Sequence, residues 1–307
     1  MRWASYVSTI DGESHAALLN GGRLHGLEPG TDVLGLLQAG TLEKAARRAI
    51  SNPFEVVAIE SVTLLSPIES PPSVRDFMSF ETHVVTSMRA IGGTISPVWY
   101  EQPVFYFSNP AAIVGPSADI RISPGSSEFD FELEIAAIVG TKGSNLSVPE
   151  AEARIAGYTI MCDWSARDLQ ERESKIGLGP AKGKDGATSL GPVIITPDEL
   201  EPLRSGNGYD IAMTVDVNGR RYSAGNWNSI YWSFGQMLSY ASRGTTLLPG
   251  DIIGSGTVGT GCILELGRVH GRDTFPYLAA GDEVSITADQ FGEIRAAILP
   301  GTAPSPL

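Results

Sequence analysis

The sequence predicts a mostly β, α+β fold, and three observations carry that prediction. The chain has 35 glycines and 20 prolines among 307 residues, so long helices are disfavoured. Short apolar runs are separated by glycine-rich turns and not by regular helices, which argues against a doubly wound parallel sheet. With 42% hydrophobic and 19% charged residues, the chain can also build a large core in one large or two unequal domains.

A small β-rich domain is predicted at residues 1–70. Strand-like segments cover Trp3 to Ile10 and Ala16 to Leu19, and a helix is predicted over Asp32 to Ala49. The proline-bearing stretch SPIESPPS, at Ser66 to Ser73, separates this domain from the next. The apolar residues that recur on one face of the predicted helix are Leu34, Leu37, Leu42 and Ala46.

A larger domain is predicted at residues 71–307, built mainly from short strands. Two helices are predicted inside it, over Val148 to Ala156 and over Ser229 to Ala241. The first has a capping-box pattern in Ser147 and Glu150. The predicted strands are Phe105 to Phe107, Phe129 to Val139, Val193 to Thr196, Ile211 to Val217 and Ile252 to Ser255.

Charge and cysteine content argue against several classes of protein. The formal net charge is −13 and no Lys/Arg cluster lies on a predicted element, so no nucleic-acid partner is expected. No window approaches the roughly 20 apolar residues of a membrane span, and the N-terminus lacks a secretory signal pattern. We therefore expect a cytoplasmic protein without membrane contact. Cys162 and Cys262 predict neither a disulfide framework nor a zinc site and are expected to be buried.

Two glutamates stand side by side in the segment FDFELEIAAIVG. The two-residue period of a strand puts Glu132 and Glu134 on one face, and Phe131, Leu133 and Ile135 on the other. The run continues into apolar residues, which indicates burial, and two buried acids so close together predict a cation between them. A solvated strand face is the alternative that this fragment leaves open.

Two further acids lie where functional groups often occur. Asp163 follows the apolar run IAGYTIMC, at the predicted end of a strand, and Asp76 lies seven residues before His83. Each acid by itself would more often be a turn or cap residue. Together with the glutamate pair they form an oxygen donor set, which favours Mg²⁺, Mn²⁺ or Ca²⁺ over zinc.

These acids lie within motifs that resemble the fumarylacetoacetate hydrolase family. The matching segments keep the family's order and spacing from about residue 70 onward, whereas the N-terminal region matches only weakly. The resemblance implies a mixed β-sandwich roll for the larger domain, and a homodimer. The segments are RDFMSFETH (75–83), FELEIAAIVG (131–140), GYTIMCDWSARDLQ (157–170), LGPAKGK (178–184), SGTVG (255–259), ILEL (263–266) and GDEVSI (281–286).

The same resemblance implies a role for each matched residue. His83 and Glu265 match the family's catalytic His–Glu dyad, and Lys184 matches the lysine beside the metal-bound oxygens. Mg²⁺ is the expected ion, with Mn²⁺ and Ca²⁺ as alternatives. The metal-ligand positions are matched by Asp76, Glu132, Glu134 and Asp163. The substrate-contacting positions are matched by Tyr106, Gln170, Thr257 and, at a shorter spacing after the histidine, Arg89.

Two pocket positions depart from the family pattern. Met78 stands where the animal enzyme has a tyrosine, and a second pocket tyrosine is replaced near Ser174. Since the metal and dyad positions are kept, the resemblance implies a metal-dependent hydrolase that cleaves a carbon–carbon bond. Its expected substrate is a small 1,3-diketone or acylpyruvate-type oxo acid other than fumarylacetoacetate. The metal would stabilise the enolate leaving group, and His83 with Glu265 would activate water.

Three other functions are compatible with parts of the sequence. The family scaffold also resembles 2-oxo acid decarboxylases, hydratases, isomerases and lyases, which share the enolate step. GSGTVG, at residues 254–259, matches a dinucleotide-binding pattern, but the following TGCILELGRV alternates like a strand, so the required helix is not expected. A non-catalytic binding protein on this fold would be expected to lose polar site residues, and here the main ones are present.

Overall fold

The computed structural model describes residues 1–90 and 92–306. Its strands are β1 (Arg2–Val7), β2 (Ser14–Asn20), β3 (Arg23–Gly26), β4 (Val56–Ala58), β5 (Leu64–Leu65), β6 (Val74–Phe77), β7 (Phe105–Ser108), β8 (Ile113–Val114), β9 (Ile120–Arg121), β10 (Phe129–Asp130), β11 (Leu133–Val139), β12 (Ile155–Asp163), β13 (Ser165–Ala166), β14 (Thr188–Ile195), β15 (Arg204–Ser205), β16 (Gly208–Tyr209), β17 (Ala212–Val217), β18 (Arg220–Asn226), β19 (Ile252–Gly254), β20 (Glu283–Ala288) and β21 (Gly292–Leu299). Its α-helices are α1 (Val33–Gln38), α2 (Leu42–Ser51), α3 (Glu81–Ala90), α4 (Val148–Glu152), α5 (Arg167–Ser174), α6 (Pro197–Leu200), α7 (Phe234–Ala241) and α8 (Ile263–His270).

Two mixed sheets form the framework of the molecule. The larger has the order β4-β3-β2-β1-β14-β12-β11-β19-β6-β7, with β5 paired to β1 and β8 paired to β14. The smaller has the order β18-β17-β20-β21-β9. Both combine parallel and antiparallel pairs, because β19 pairs parallel with β6 and β21 pairs parallel with β9. The predicted mostly β, α+β fold is confirmed.

Strand β11 lies in the middle of the larger sheet and is buried on both faces. Successive strand side chains point to opposite faces. Ile135, Ala137 and Val139 therefore join the core that includes the second sheet, while Ala136 and Ile138 join the core that includes α1 and α2. This double burial fixes the position of β11, and with it the acidic residues at its beginning.

The N-terminal strands extend the same sheet as the rest of the chain. Strand β1 pairs antiparallel with β14, with Arg2 opposite Ile195 and Trp3 opposite Ile194. The predicted domain boundary near residue 70 stays a prediction. The helix expected over residues 32–49 is two helices, α1 and α2. Gly40 lies between them with a φ of 63°, a left-handed conformation that ends a helix.

One expected strand is a helix. The segment CILELGRV forms α8, and its N-cap residue Cys262 supplies no capping hydrogen bond. The cap comes from a distant residue: the Asp130 carboxylate accepts hydrogen bonds from the backbone N–H of Ile263 at 2.7 Å and of Leu264 at 2.9 Å. Because this partner is remote in sequence, the local pattern of CILELGRV did not indicate a helix start.

Other local expectations agree with the structure. Ser147 and Glu150 form the capping box that begins α4, although this helix ends at Glu152. Cys162 and Cys262 are unpaired and buried. Among the helices of the described residues, none combines the length and the apolar character needed to cross a bilayer.

Candidate active site

A cavity of about 740 Å³ lies where β6, β7, α3, α5 and α8 approach one another. It gathers residues that are far apart in the sequence. Most of the predicted site residues line it: Asp76, Met78, His83, Tyr106, Glu132, Gln170, Lys184 and Thr257. Ser174, near which the family resemblance implies a replaced pocket tyrosine, lines it as well.

Four carboxylates converge at the buried end of this cavity. Oxygen atoms of Asp76, Glu132 and Glu134 lie within 4.8 Å of one another. Asp163 joins them through shared partners, since Lys184 Nζ donates to Glu132 Oε2 at 2.5 Å and to Asp163 Oδ2 at 2.8 Å. The Tyr106 hydroxyl donates to Asp76 Oδ2 at 2.7 Å and also contacts Asp163 Oδ2. The structure thus brings together the four acids that the sequence predicted as metal ligands.

A glycine loop holds two of these carboxylates in place. The backbone N–H of Gly256 donates to Asp76 Oδ1 at 3.2 Å and to Glu134 Oε2 at 3.0 Å. Gly256 has a φ of +76°, and a Cβ atom there would lie 2.2 Å from the carbonyl oxygen of Phe77. The position therefore requires glycine. Strand β19, this loop and helix α8 form the strand–loop–helix order that the sequence analysis did not expect. The loop N–H of Gly256 donates to side-chain carboxylates, however, which argues against a phosphate-binding loop.

Burial and mutual repulsion shift the ionisation of the cluster. Burial and the neighbouring charges of Asp163 and Glu132 raise the pKa of Asp76 to about 7. Burial and the charges of Asp76 and Glu132 likewise raise the pKa of Glu134 well above its usual value. Burial opposes the ionisation of Glu132, but the Lys184 ammonium and the Arg167 guanidinium lower its pKa to about 2. The cluster therefore contains more carboxylates than Lys184 and Arg167 can neutralise.

The donor set fits a hard divalent cation. Glu134 Oε1 and Asp163 Oδ1 are buried and have no hydrogen-bond partner within residues 1–90 and 92–306. Buried carboxylate oxygens are normally satisfied, so these two atoms indicate a missing positive partner. Oxygen donors from four acids are the ligands that Mg²⁺, Mn²⁺ and Ca²⁺ accept.

A histidine and a glutamate pair across two helices beside the cluster. His83 Nδ1, on α3, lies 2.7 Å from Glu265 Oε2, on α8. The same glutamate oxygen accepts the backbone N–H of Thr260 at 2.9 Å. Glu265 is buried, whereas His83 lines the cavity. A carboxylate bonded to one ring nitrogen leaves the other nitrogen to exchange a proton within the cavity.

Arg167 is a residue that the sequence analysis missed. It is buried, lines the cavity and donates from Nε to Asp130 Oδ2 at 2.8 Å. Its Nη2 lies 2.8 Å from Glu132 Oε1, and its Nη1 donates to Gln170 Oε1 at 3.1 Å. The sequence does contain a signal for it: a third acid, Asp130, alternates with Glu132 and Glu134 along the same run. A third buried acid indicates a buried cation other than a metal ion.

Arg89 is the predicted substrate-binding residue that the structure does not bring to the site. It lies on the exposed side of α3, outside the residues that line the cavity. The physical reason is the period of the helix. Residues three and four positions apart share a face, so His83 and Ser87 face the cavity, whereas Arg89 lies six residues after His83, off this face.

The comparisons with known proteins agree on one family. The family model described as fumarylacetoacetate (FAA) hydrolase C-terminal matches residues 73–299. A fumarylacetoacetase from Oryza sativa subsp. japonica is 32% identical over 65% of this chain, and the match spans 58% of that protein's length. A human protein named oxaloacetate tautomerase FAHD2A, mitochondrial, is 28% identical over 81% of this chain and 73% of its own.

Solved structures share the fold along nearly the whole chain. A probable 2-hydroxyhepta-2,4-diene-1,7-dioate isomerase from Mycobacterium abscessus has a TM-score of 0.74 at 23% identity, covering 98% of this chain and 100% of its own. A fumarylacetoacetate hydrolase from Exiguobacterium antarcticum has a TM-score of 0.72 at 25% identity, covering 98% of this chain and 99% of its own. At 23% identity, the similarity to the Mycobacterium abscessus protein shows a shared fold and nothing more.

Proposed function

Because the chain belongs to the fumarylacetoacetate hydrolase family, we propose that it is a metal-dependent hydrolase that cleaves a carbon–carbon bond in a small 1,3-diketone or acylpyruvate-type oxo acid. The observation that carries the proposal is the 2.7 Å pair of His83 and Glu265 beside the four-carboxylate cluster. Hydrolysis needs a base for water as well as a site for the oxo acid, and this arrangement has candidates for both.

Asp76, Glu132, Glu134 and Asp163 would hold the divalent cation, with Mg²⁺ as the proposed ion. When bound, the cation would supply Lewis-acid polarisation of the substrate's oxygen atoms. His83 would take a proton from water at its free ring nitrogen while Glu265 holds the ring through Nδ1. A base positioned in this way typically contributes about 10²–10⁴-fold to the rate.

The two buried cations would stabilise negative charge on the substrate. Lys184 and Arg167 both line the cavity and both contact Glu132, so they lie beside the proposed cation. Positive groups held in place before the reaction stabilise developing charge without reorganising. Gln170, which accepts a hydrogen bond from Arg167, would orient the substrate from the same side of the cavity.

The test is the cleavage of an acylpyruvate by purified protein. With Mg²⁺ we expect loss of the enol absorbance and formation of two fragments, a carboxylic acid and a 2-oxo acid. A chelator should abolish the reaction, and added Mg²⁺ or Mn²⁺ should restore it. Cleavage that continues at full rate in the chelator would contradict the metal, and metal-loaded protein that leaves a panel of acylpyruvates intact would contradict hydrolysis.

An isomerase is the second candidate, because relatives named oxaloacetate tautomerase match 81% or more of this chain. Decarboxylation, hydration and lyase chemistry belong to the same group of alternatives. The product distinguishes them: interconversion of the keto and enol forms of oxaloacetate without bond cleavage favours the isomerase, and release of carbon dioxide favours the decarboxylase. A homodimer and a cytoplasmic location stay predictions from the sequence.

A further inference from the structure

The wall of the cavity beyond the His83–Glu265 pair carries a positive charge that the proposed chemistry does not use. Arg268 lies on α8, three residues after Glu265 and four after Leu264, which also lines the cavity. Residues three and four apart share one face of a helix. Arg268 therefore extends the cavity wall by about one turn past the dyad. Its guanidinium forms no ion pair or hydrogen bond within the described part of the chain.

A second unpaired donor lies on the other helix of the dyad. Ser87 is four residues after His83 on α3 and lines the same cavity. Its hydroxyl oxygen is buried and has no hydrogen-bond partner among residues 1–90 and 92–306. Both helices that supply the dyad thus present a further polar group to the cavity, and neither group is satisfied by the protein. Arg268 is exposed to solvent, whereas a buried hydroxyl without a partner, as in Ser87, indicates a bound polar ligand.

The other charged side chains at this wall already have partners or lie apart from it. Arg272 donates to the carbonyl oxygen of Ile263 at 3.2 Å, and its guanidinium lies 3.7 Å from the centre of the Tyr277 ring. Burial raises the pKa of Tyr277, the charge of Arg272 opposes this rise, and the charge of Glu128, which also lines the cavity, adds to it. Glu171 lines the cavity from α5 and pairs with Lys175 at 3.0 Å. Among the described residues of this outer wall, Arg268 is therefore the cation without a protein partner, whereas Lys184 and Arg167 lie at the carboxylate cluster.

We propose that Arg268, assisted by Ser87, binds a second, distal carboxylate and so selects dianionic oxo acids as substrates. This inference rests on the proposed function, which puts the oxo acid head at the carboxylate cluster. The middle of the substrate would lie along the apolar wall formed by Val104 and Leu264. A guanidinium presents paired N–H donors that match a carboxylate, which makes arginine suited to this role.

The test compares two ligands that differ only at the far end. Both 2-oxoadipate and 2-oxohexanoate carry the 2-oxo acid head, and neither is a diketone that the proposed hydrolysis would consume. Titration calorimetry with Mg²⁺-loaded protein should show about tenfold tighter binding of 2-oxoadipate, the size expected for one charge-assisted contact at a partly open site. Arg268→Gln should remove this preference and leave the affinity for 2-oxohexanoate unchanged, and Arg268→Lys should keep part of it.

Two control variants separate the subsite from general charge effects. Arg47→Gln removes an exposed arginine on α2, outside the cavity lining, and should leave both affinities unchanged. Arg89→Gln tests the arginine that the family resemblance implied. Loss of the preference in Arg89→Gln but not in Arg268→Gln would overturn the proposal, as would equal binding of the two ligands by the wild-type protein.

The binding experiment tests the Arg268 subsite independently of whether the protein cleaves an acylpyruvate. A preference for 2-oxoadipate that depends on Arg268, in a protein that cleaves no acylpyruvate, would support the subsite and reject the hydrolase. For acylpyruvates with and without a terminal carboxylate, Arg268→Gln should raise KM for the dianion about tenfold and leave kcat unchanged. A fall in kcat for both substrates would instead contradict a role limited to the distal carboxylate.

Discussion

Two buried polar clusters in this chain use the same residue types but differ in how fully their hydrogen bonds are satisfied. In the N-terminal region, Glu55 accepts from the Tyr6 hydroxyl at 2.9 Å and from the Thr9 hydroxyl at 2.7 Å. Nearby, His15 Nδ1 lies 2.7 Å from the carbonyl oxygen of Leu27, and Nε2 lies 3.0 Å from Asp11 Oδ2. Every ring nitrogen and carboxylate oxygen named here has a protein partner.

The cavity cluster leaves equivalent atoms unsatisfied. Glu134 and Asp163 each bury one oxygen without a partner in the described residues, and His83 binds protein through Nδ1 alone. A polar cluster that satisfies itself stabilises the fold, whereas one that stays incomplete is expected to be completed by a ligand. The difference predicts opposite consequences for matched substitutions in the two regions.

The largest effect is expected from removing the ring of His83. His83→Asn keeps a side-chain N–H that can reach Glu265 but removes the nitrogen that faces the cavity. We expect kcat to fall about 10²–10⁴-fold with little change in the melting temperature. Activity and thermal unfolding, measured on the same preparation, check this.

The matched control for that experiment is His15→Asn. It should lower the melting temperature, because the ring of His15 also stacks on Phe54 with centroids 4.9 Å apart, and it should leave kcat unchanged. A large loss of activity in His15→Asn, or none in His83→Asn, would remove the distinction between the two clusters.

The next effect concerns the cation. Burial and the charges of Asp76 and Glu132 raise the pKa of Glu134, so the neutral amide of Glu134→Gln removes a repelling charge from the metal-free cluster. We expect about a hundredfold loss of activity and no loss of stability without metal. The rise in melting temperature that Mg²⁺ causes in the wild type should also disappear. An unchanged Mg²⁺ response in this variant would place the ion elsewhere.

The smallest effect is expected from Glu55→Gln in the satisfied cluster. Loss of the charge-assisted hydrogen bonds should lower the free energy of unfolding by about 1–2 kcal/mol, with kcat unchanged. Burial opposes the ionisation of Glu55, but hydrogen bonds from Ser8, Thr9 and Tyr6 lower its pKa. A lowered pKa stabilises the fold fully above the unfolded value of about 4.3, and this stabilisation is lost as pH falls through the lower pKa of the folded protein.

Urea unfolding of Glu55→Gln and the wild type at neutral and acidic pH checks this expectation. The difference between the two proteins should shrink on acidification. A difference that grows on acidification would show that the charge of Glu55 does not stabilise the fold.

The sequence predicted the strands and the acidic residues more reliably than the helices and the pocket wall. Strand periodicity located Glu132 and Glu134, and the end of an apolar run located Asp163, because these segments are distinctive in themselves. His83 was located through the family resemblance of its motif. Helix α8 was missed, since its capping group is Asp130, more than a hundred residues earlier. Ser87 and Arg268 were missed for a related reason: their relevance comes only from facing one cavity, which no short segment encodes.

The pairing of β1 with β14 ties the beginning of the chain to the segment that carries the site. Strand β14 is also hydrogen-bonded to β12, the strand that ends in Asp163. A fragment starting at residue 73, where the family model begins, would expose the backbone edge of β14 around Ile194 and Ile195. Unpaired strand edges recruit other strands. The first seventy residues therefore cover this edge of β14, and we expect the fragment to self-associate more readily than the full chain.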